Sequence, residues 1–237
     1  MNKMVSINDL VQLYYRSNDF DMLRDTTKND YKYFLGVVSA SVGNEKFTGF
    51  TSRKAKWAYE EWVRRGVSFA NHVATCASRV FNYAVEMEYA IQNPFTSIKR
   101  KPEIKRKVVW KHEDVLKFLD VAYSDFTTRN IGLIIQMTYE WCQRIGDMRT
   151  LEWEDIDFDD KVLTLEQSKR RAEVFLPISD DLMSMLHEQH KDFGFQRYVA
   201  PHVTPTRGVF YPYAMQRFSK NGRAVMRKAG LSESLRL

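Results

Sequence analysis

The sequence predicts a mainly α-helical protein in two parts: four helices over residues 1–98, and a second helical part, residues 112–237, that holds a small three-stranded antiparallel sheet. Three observations predict this. Apolar residues recur at three-and-four spacing through most of the chain, the mark of helices with one buried face. The period shortens to two only between Asp155 and Ile178, where strands alternate across a sheet. Between the two parts, residues 99–111 (KRKPEIKRKVVWK) hold seven Lys or Arg in thirteen positions and one acid, Glu103. Pro102 prevents a continuous helix there, so this stretch reads as an extended linker.

The first helix is expected over residues 6–16, with Ser6 as N-cap and Ile7, Leu10, Val11 and Tyr14 on one face. A second runs from about Thr26, capped by Thr26 or Thr27, to Val42, with Gly43 ending it and Tyr31, Phe34, Leu35 and Val38 as its core stripe. A third covers Ser52–Arg65 and closes at Gly66. The fourth has the clearest periodicity. Ser68 is the expected cap; Phe69, Val73, Cys76, Ala77, Val80, Phe81, Ala84 and Val85 share a face; Asn93-Pro94 is the expected stop.

In the second part, helices are expected over His112–Asp125 and Thr128–Gln143. Leu133, Met137 and Trp141 form a buried stripe that delivers Arg144 at the helix end. Strands follow at Asp155–Phe158, Val162–Leu165 and Glu173–Ile178, turning at Asp159-Asp160 and over Ser168–Arg171. Two more helices, Ser179–Lys191 and Ala214–Ala229, complete the reading, the last ended by Gly230.

Composition narrows the functional classes. The chain has 36 basic and 30 acidic residues, a net charge of +6, 44% hydrophobic and 14% aromatic residues. That is enough apolar material for real cores, and the basic surplus favours a polyanionic partner. The cations of the linker, Lys99, Arg100, Lys101, Lys105, Arg106 and Lys107, suit a phosphate backbone. Cys76 and Cys142 read as reduced thiols on helix faces, and no Cys/His cluster has metal-ligand spacing. The N-terminal stretch lacks the apolar core of a signal peptide, and no apolar run approaches the ~20 residues of a membrane span. A soluble, cytoplasmic protein is expected.

The most informative stretch is Thr138–Asp157, TYEWCQRIGDMRTLEWEDID. An arginine held beside a core suits two-oxygen recognition of a phosphate; charge pattern alone favours a surface arginine paired with Asp147 or Glu152. The run RIGDMRTLEWEDIDF resembles the first arginine box of the tyrosine recombinases, the phage-integrase family. Residues 69–98, with FNYAV and a terminal Asn-Pro before a basic linker, resemble the end of that family's core-binding domain, and KAGLSESL near the C-terminus extends the likeness to about residues 5–237.

The resemblance implies a SAM-like helical core-binding domain, a partial α+β catalytic domain, and the two together as a clamp on double-stranded DNA. It implies Arg144 as a catalytic arginine, Asp147 as the acid supporting it, and Lys169 in the hairpin turn as general acid for the departing 5′ oxygen. Arg170 and Arg171 beside it would grip backbone phosphates. It further implies metal-independent cleavage through a covalent phosphotyrosine, no small-molecule cofactor, and self-association on DNA.

The family's second arginine lies in a His-x-x-Arg motif. Three residues after the five histidines stand Thr75, Val115, His190, Phe193 and Pro205, so the motif is absent from these 237 residues. Tyr198, Tyr211 and Tyr213 do not occupy the nucleophile's place and read as packing or DNA-facing aromatics. The expectation is a recombinase chain interrupted before the second half of its active site and inactive alone. The alternative is a non-enzymatic DNA-binding protein or regulator derived from a recombinase. Reading-frame sequence beyond codon 237 separates the two. Interruption also predicts an uncovered apolar face on the last helix, around Met215, Phe218, Val225 and Met226.

Overall fold

The computed structural model describes residues 6–104, 107–169 and 171–237. It divides into two compact units, Met1–Arg106 and Lys107–Leu237. Ten α-helices and one three-stranded sheet are found among the described residues, so the protein is mainly α with a small antiparallel sheet.

In the first unit, helix α1 (Ile7–Tyr15) starts from a capping box in which Ser6 and Asp9 satisfy each other's backbone N–H groups, and it buries Ile7, Leu10, Val11 and Tyr14. A one-turn helix, α2 (Asn18–Asp21), follows under a Ser17 cap; four residues are too few to show a period in the sequence. Helix α3 (Asp25–Val42) begins at Arg24 without a side-chain cap, so neither Thr26 nor Thr27 serves as one. Helix α4 (Ser52–Val63) is capped by Thr51.

Helix α5 (Val67–Glu86) departs from expectation at both ends. Its N-cap is Gly66, at φ +126°, a conformation closed to residues with a Cβ, and Ser68 lies inside the first turn. It stops well before Pro94. Asn93 is nevertheless anchored: its amide donates to Ser78 O, Ser78 Oγ and Asn82 Oδ1, and its carbonyl accepts from Phe95 N–H. That anchor seats Phe95 against Phe50, Phe81 and Trp62 in one aromatic stack. Asn-Pro here folds the chain back onto α5 rather than ending it.

The start of the basic segment is fixed to this unit. Tyr59 Oη accepts from Lys101 N–H at 2.8 Å and donates to Asn71 Oδ1 at 2.7 Å. Asn71 donates in turn to Lys101 O and to Glu103 Oε1. None of residues 99–104 and 107–111 is helical or strand.

In the second unit, α6 (His112–Tyr123) packs antiparallel against α7 (Phe126–Glu140), the central helix, which is buried continuously from Asn130 to Met137. Its buried Asn130 is matched: Asn130 donates to Pro201 O and accepts from Gln189, which also donates to Val199 O. After α8 (Ile145–Arg149) come β1 (Ile156–Asp157), β2 (Val162–Glu166) and β3 (Glu173–Pro177), in the order β1-β2-β3 with both pairings antiparallel. Leu163 and Leu165 face the core from β2. Helices α9 (Asp180–Phe193) and α10 (Met215–Lys228) complete the unit.

The expected bare face of α10 is not found. Phe218, Val225 and Met226 are buried, and of the four residues only Met215 is exposed. The segment after Gly230 folds back with Leu231 and Leu235 buried. A Cβ on Gly222 would lie 2.2 Å from Leu237 Cδ1, so glycine provides the notch into which this segment seats.

Candidate active site

Arg144 does not end the long helix. Helix α7 stops at Glu140, the chain turns through Cys142 at φ +52°, and Arg144 becomes the N-cap of α8. The buried stripe holds: Leu133, Met137 and Trp141 are all in the core. Trp141 also donates its indole N–H to Pro177 O at the end of β3, 3.0 Å away. The arginine is therefore carried on a short loop braced from below by a fixed tryptophan.

Two arginines stand in this stretch, and the structure separates them. Arg149 turns inward, its guanidinium donating to Tyr213 O, and burial pushes its pKa below the ordinary arginine value. Arg144 turns outward with its side chain 42% exposed, open to a ligand. Its nearest acid is Asp147, Nη1 to Oδ2 at 3.7 Å, beyond a direct hydrogen bond. Glu152, the other candidate partner, is engaged by Arg197 at 2.6 Å.

Asp147 is buried, with a side chain 1% exposed. Its Oδ1 accepts from the backbone N–H of Ser168 at 3.4 Å, while Oδ2, facing Arg144, has no hydrogen-bond partner. Gln143, adjacent to Arg144, accepts from Gln167 Nε2 at 2.7 Å. The turn between β2 and β3 is thus tied to the arginine loop on both sides. Lys169, next to Ser168, is exposed at the turn. Arg144, Asp147 and the turn bearing Lys169 are brought into one neighbourhood.

Of the remaining cations, Arg171 is exposed in the turn at φ +51°. Lys105, Arg106 and Arg170 lie outside the described residues. Lys99, Arg100 and Lys107 are exposed and form no ion pair with a described residue. Lys101 differs: its ammonium meets Glu60 at 2.5 Å. Tyr213 is core, at 1% exposure, and burial pushes its phenol up to about 12. Tyr211 is exposed and Tyr198 half-buried on an isolated bridge to Glu152.

Sequence reasoning missed two features. One is the Gln143–Gln167 pair, which no periodicity announces. The other is the outer face of α10, where Arg217, Lys220, Arg223 and Arg227 stand exposed without an ion pair to a described residue. Its signal was present: MQRFSKNGRAVMRK contains five cations at near-helical spacing and no acid. No group of three His, Cys, Asp or Glu side chains capable of holding a metal is found among the described residues, and no described helix is long and apolar enough to cross a membrane.

An outward arginine stands beside a buried acid and a basic hairpin, and comparison with known proteins gives the family. The chain matches the phage integrase family over residues 109–236, more than half its length, and belongs to that family. It is 26% identical over 161 residues to the ICEBs1 integrase of Bacillus subtilis (strain 168), a match covering 66% of this chain and 43% of that protein. It therefore spans less than half the length of that relative. Among solved structures, a lambda integrase dimer bound to a COC' core site superposes with a TM-score of 0.80 at 17% identity, covering 96% of this chain and 65% of that one. The Tn1549 transposon integrase with a circular intermediate DNA gives 0.73 at 15% identity, covering 98% and 81%.

Proposed function

We propose that this chain belongs to a site-specific recombination system of a phage or other mobile element, binding double-stranded DNA and supplying part of a metal-independent tyrosine-recombinase site. Residues 1–98 act as the core-binding domain, 99–111 as the basic linker and 112–237 as the portion of the catalytic domain. The observation that carries the reading is the single neighbourhood formed by Arg144, Asp147 and the Lys169 turn. DNA-bound assemblies of the lambda and Tn1549 integrases support double-stranded DNA as the partner, and the lambda dimer and tetramer support self-association on it.

In this reaction a tyrosine oxygen attacks the phosphorus and the 5′ oxygen leaves, so the bridging bond is exchanged for a phosphotyrosine. Arg144 stabilises charge on the non-bridging oxygens, its guanidinium presenting two parallel donors. Lys169 donates a proton from Nζ to the departing 5′ oxygen. Asp147 supports the guanidinium from its buried side. The covalent step needs a tyrosine and a second arginine that no His-x-x-Arg motif supplies within these 237 residues.

The reading predicts retardation of duplex DNA at low salt and no covalent adduct on a nicked suicide substrate. An adduct formed by these 237 residues alone would overturn the inactive part of it; absence of any retardation would overturn the whole. The missing motif also favours a second reading, a DNA-binding regulator without catalysis. That reading predicts dominant inhibition when the chain is added to an active integrase on the same site.

A further inference from the structure

We infer that Gln143 and Gln167 form a positioning pair that holds the Lys169 turn in register with Arg144; the inference rests on the recombinase reading of that site. Lys169 has a long, exposed side chain on the turn between β2 and β3. Gln167 N–H donates to Ala172 O and Arg171 N–H to Gln167 O, both at 2.8 Å. Those bonds close the turn on itself but leave it free to swing about the ends of β2 and β3. Among the described residues, two contacts tie it to the arginine loop. The Ser168–Asp147 bond is long, at 3.4 Å, while the amide–amide bond from Gln167 to Gln143 is short, at 2.7 Å. The glutamine pair is the stronger restraint.

The chemistry of the pair fixes its direction. Gln143 Nε2 donates to Trp141 O at 3.0 Å, and a carbonyl only accepts, so Gln143 must turn its amide oxygen toward the hairpin. Gln167 must then present its NH2 group. The relay runs from the hairpin, through two amides, to the backbone of the residue whose indole is anchored on Pro177. Both glutamines are half-buried, which shields the bond from water without burying an ionised group. The turn and the arginine loop therefore move as one piece, and the ammonium approaches the phosphate held by its neighbour from a fixed base.

The test uses the 237-residue chain and two substitutions. Gln143→Leu and Gln167→Leu are each expected to raise amide exchange at Ser168 and Lys169 roughly fivefold, the effect of losing one net hydrogen bond, with the rest of the unit unchanged. The double variant is expected to be no worse than either single one. On adding a short duplex, the change in the Lys169 ammonium resonance should shrink in Gln143→Leu while affinity stays the same, which loss of general stability would not produce. Unchanged exchange at the turn, or an even loss across the unit, would each overturn the pairing. Failure of the wild-type chain to retard duplex DNA would instead sink the recombinase reading, leaving the exchange result standing by itself.

Discussion

Asp147 reaches from the first turn of α8 to the hairpin, its Oδ1 lying 3.4 Å from the backbone N–H of Ser168. A carboxylate that is 1% exposed thus spends one oxygen on the lysine-bearing turn and keeps the other, unbonded, toward Arg144. Replacing it by alanine removes the acceptor for Ser168 but also removes a desolvated oxygen, and the two effects partly offset. Asp147→Ala should cost about 1–2 kcal/mol by urea denaturation, and Asp147→Asn less than about 1 kcal/mol, because an amide oxygen still accepts.

Arg144 is exposed and lacks a close partner, so its removal should scarcely affect folding. Arg144→Ala is expected to change unfolding free energy by no more than about 0.5 kcal/mol. Its duplex affinity should fall at every salt concentration. A loss of stability of several kcal/mol would mean that the guanidinium is structural, as that of Arg149 is.

The outer row of α10 presents Arg217, Lys220, Arg223 and Arg227, exposed and without an ion pair to a described residue. If it lies along a phosphate backbone, each of Arg217→Ala, Lys220→Ala and Arg223→Ala should lower the slope of log affinity against log salt by roughly one, uniformly across DNA sequences. Filter binding between low and physiological salt measures this. An unchanged slope in all three would place the helix away from DNA.

The two thiols should separate in reactivity. Cys76 is 5% exposed, and burial pushes its thiol up to about 12, while Cys142 is exposed. At pH 8 a thiol reagent should modify one cysteine quickly and the second only on unfolding. The sign follows from the raised value: protonated Cys76 favours the fold at every pH below about 8.5, the free-thiol value, and this contribution is lost as pH climbs toward 12.

Asn93→Ala tests whether Asn-Pro is an anchor or only a stop. Three donated bonds and one accepted bond converge on its side chain, which is largely buried. The substitution should cost about 2 kcal/mol or more, measured as a shift in urea midpoint. A cost near zero would show that Pro94 and the aromatic stack suffice.

Much of the fold was legible because its signals are local. Ser6 is a side-chain cap, Gly43 and Gly230 are stops, and the alternation from Asp155 to Ile178 marks the strands of the sheet. Misreadings arose where a distant contact decided the outcome. Asn93 looks like a terminator until Ser78 and Asn82 are seen beneath it. The helix before Arg144 looks continuous, since nothing in TYEWCQR announces a left-handed Cys142. The face of α10 looked bare because Leu231 and Leu235 return to cover it. At the site, Arg144 and Lys169 could be named from family likeness, but the bonds that join them lie 21 and 24 residues apart in sequence and leave no pattern.

The ties on the hairpin also set where this protein can change. Gln167 and Ser168 are fastened to the arginine loop, and Gln167 N–H donates to Ala172 O, so a change of hairpin length is expected to be tolerated after Ser168 rather than before it. Insertions there would alter the reach of the ammonium while leaving the arginine undisturbed. An evolving recombinase, or an engineer, thus has a short tunable fingertip mounted on a knuckle that does not move.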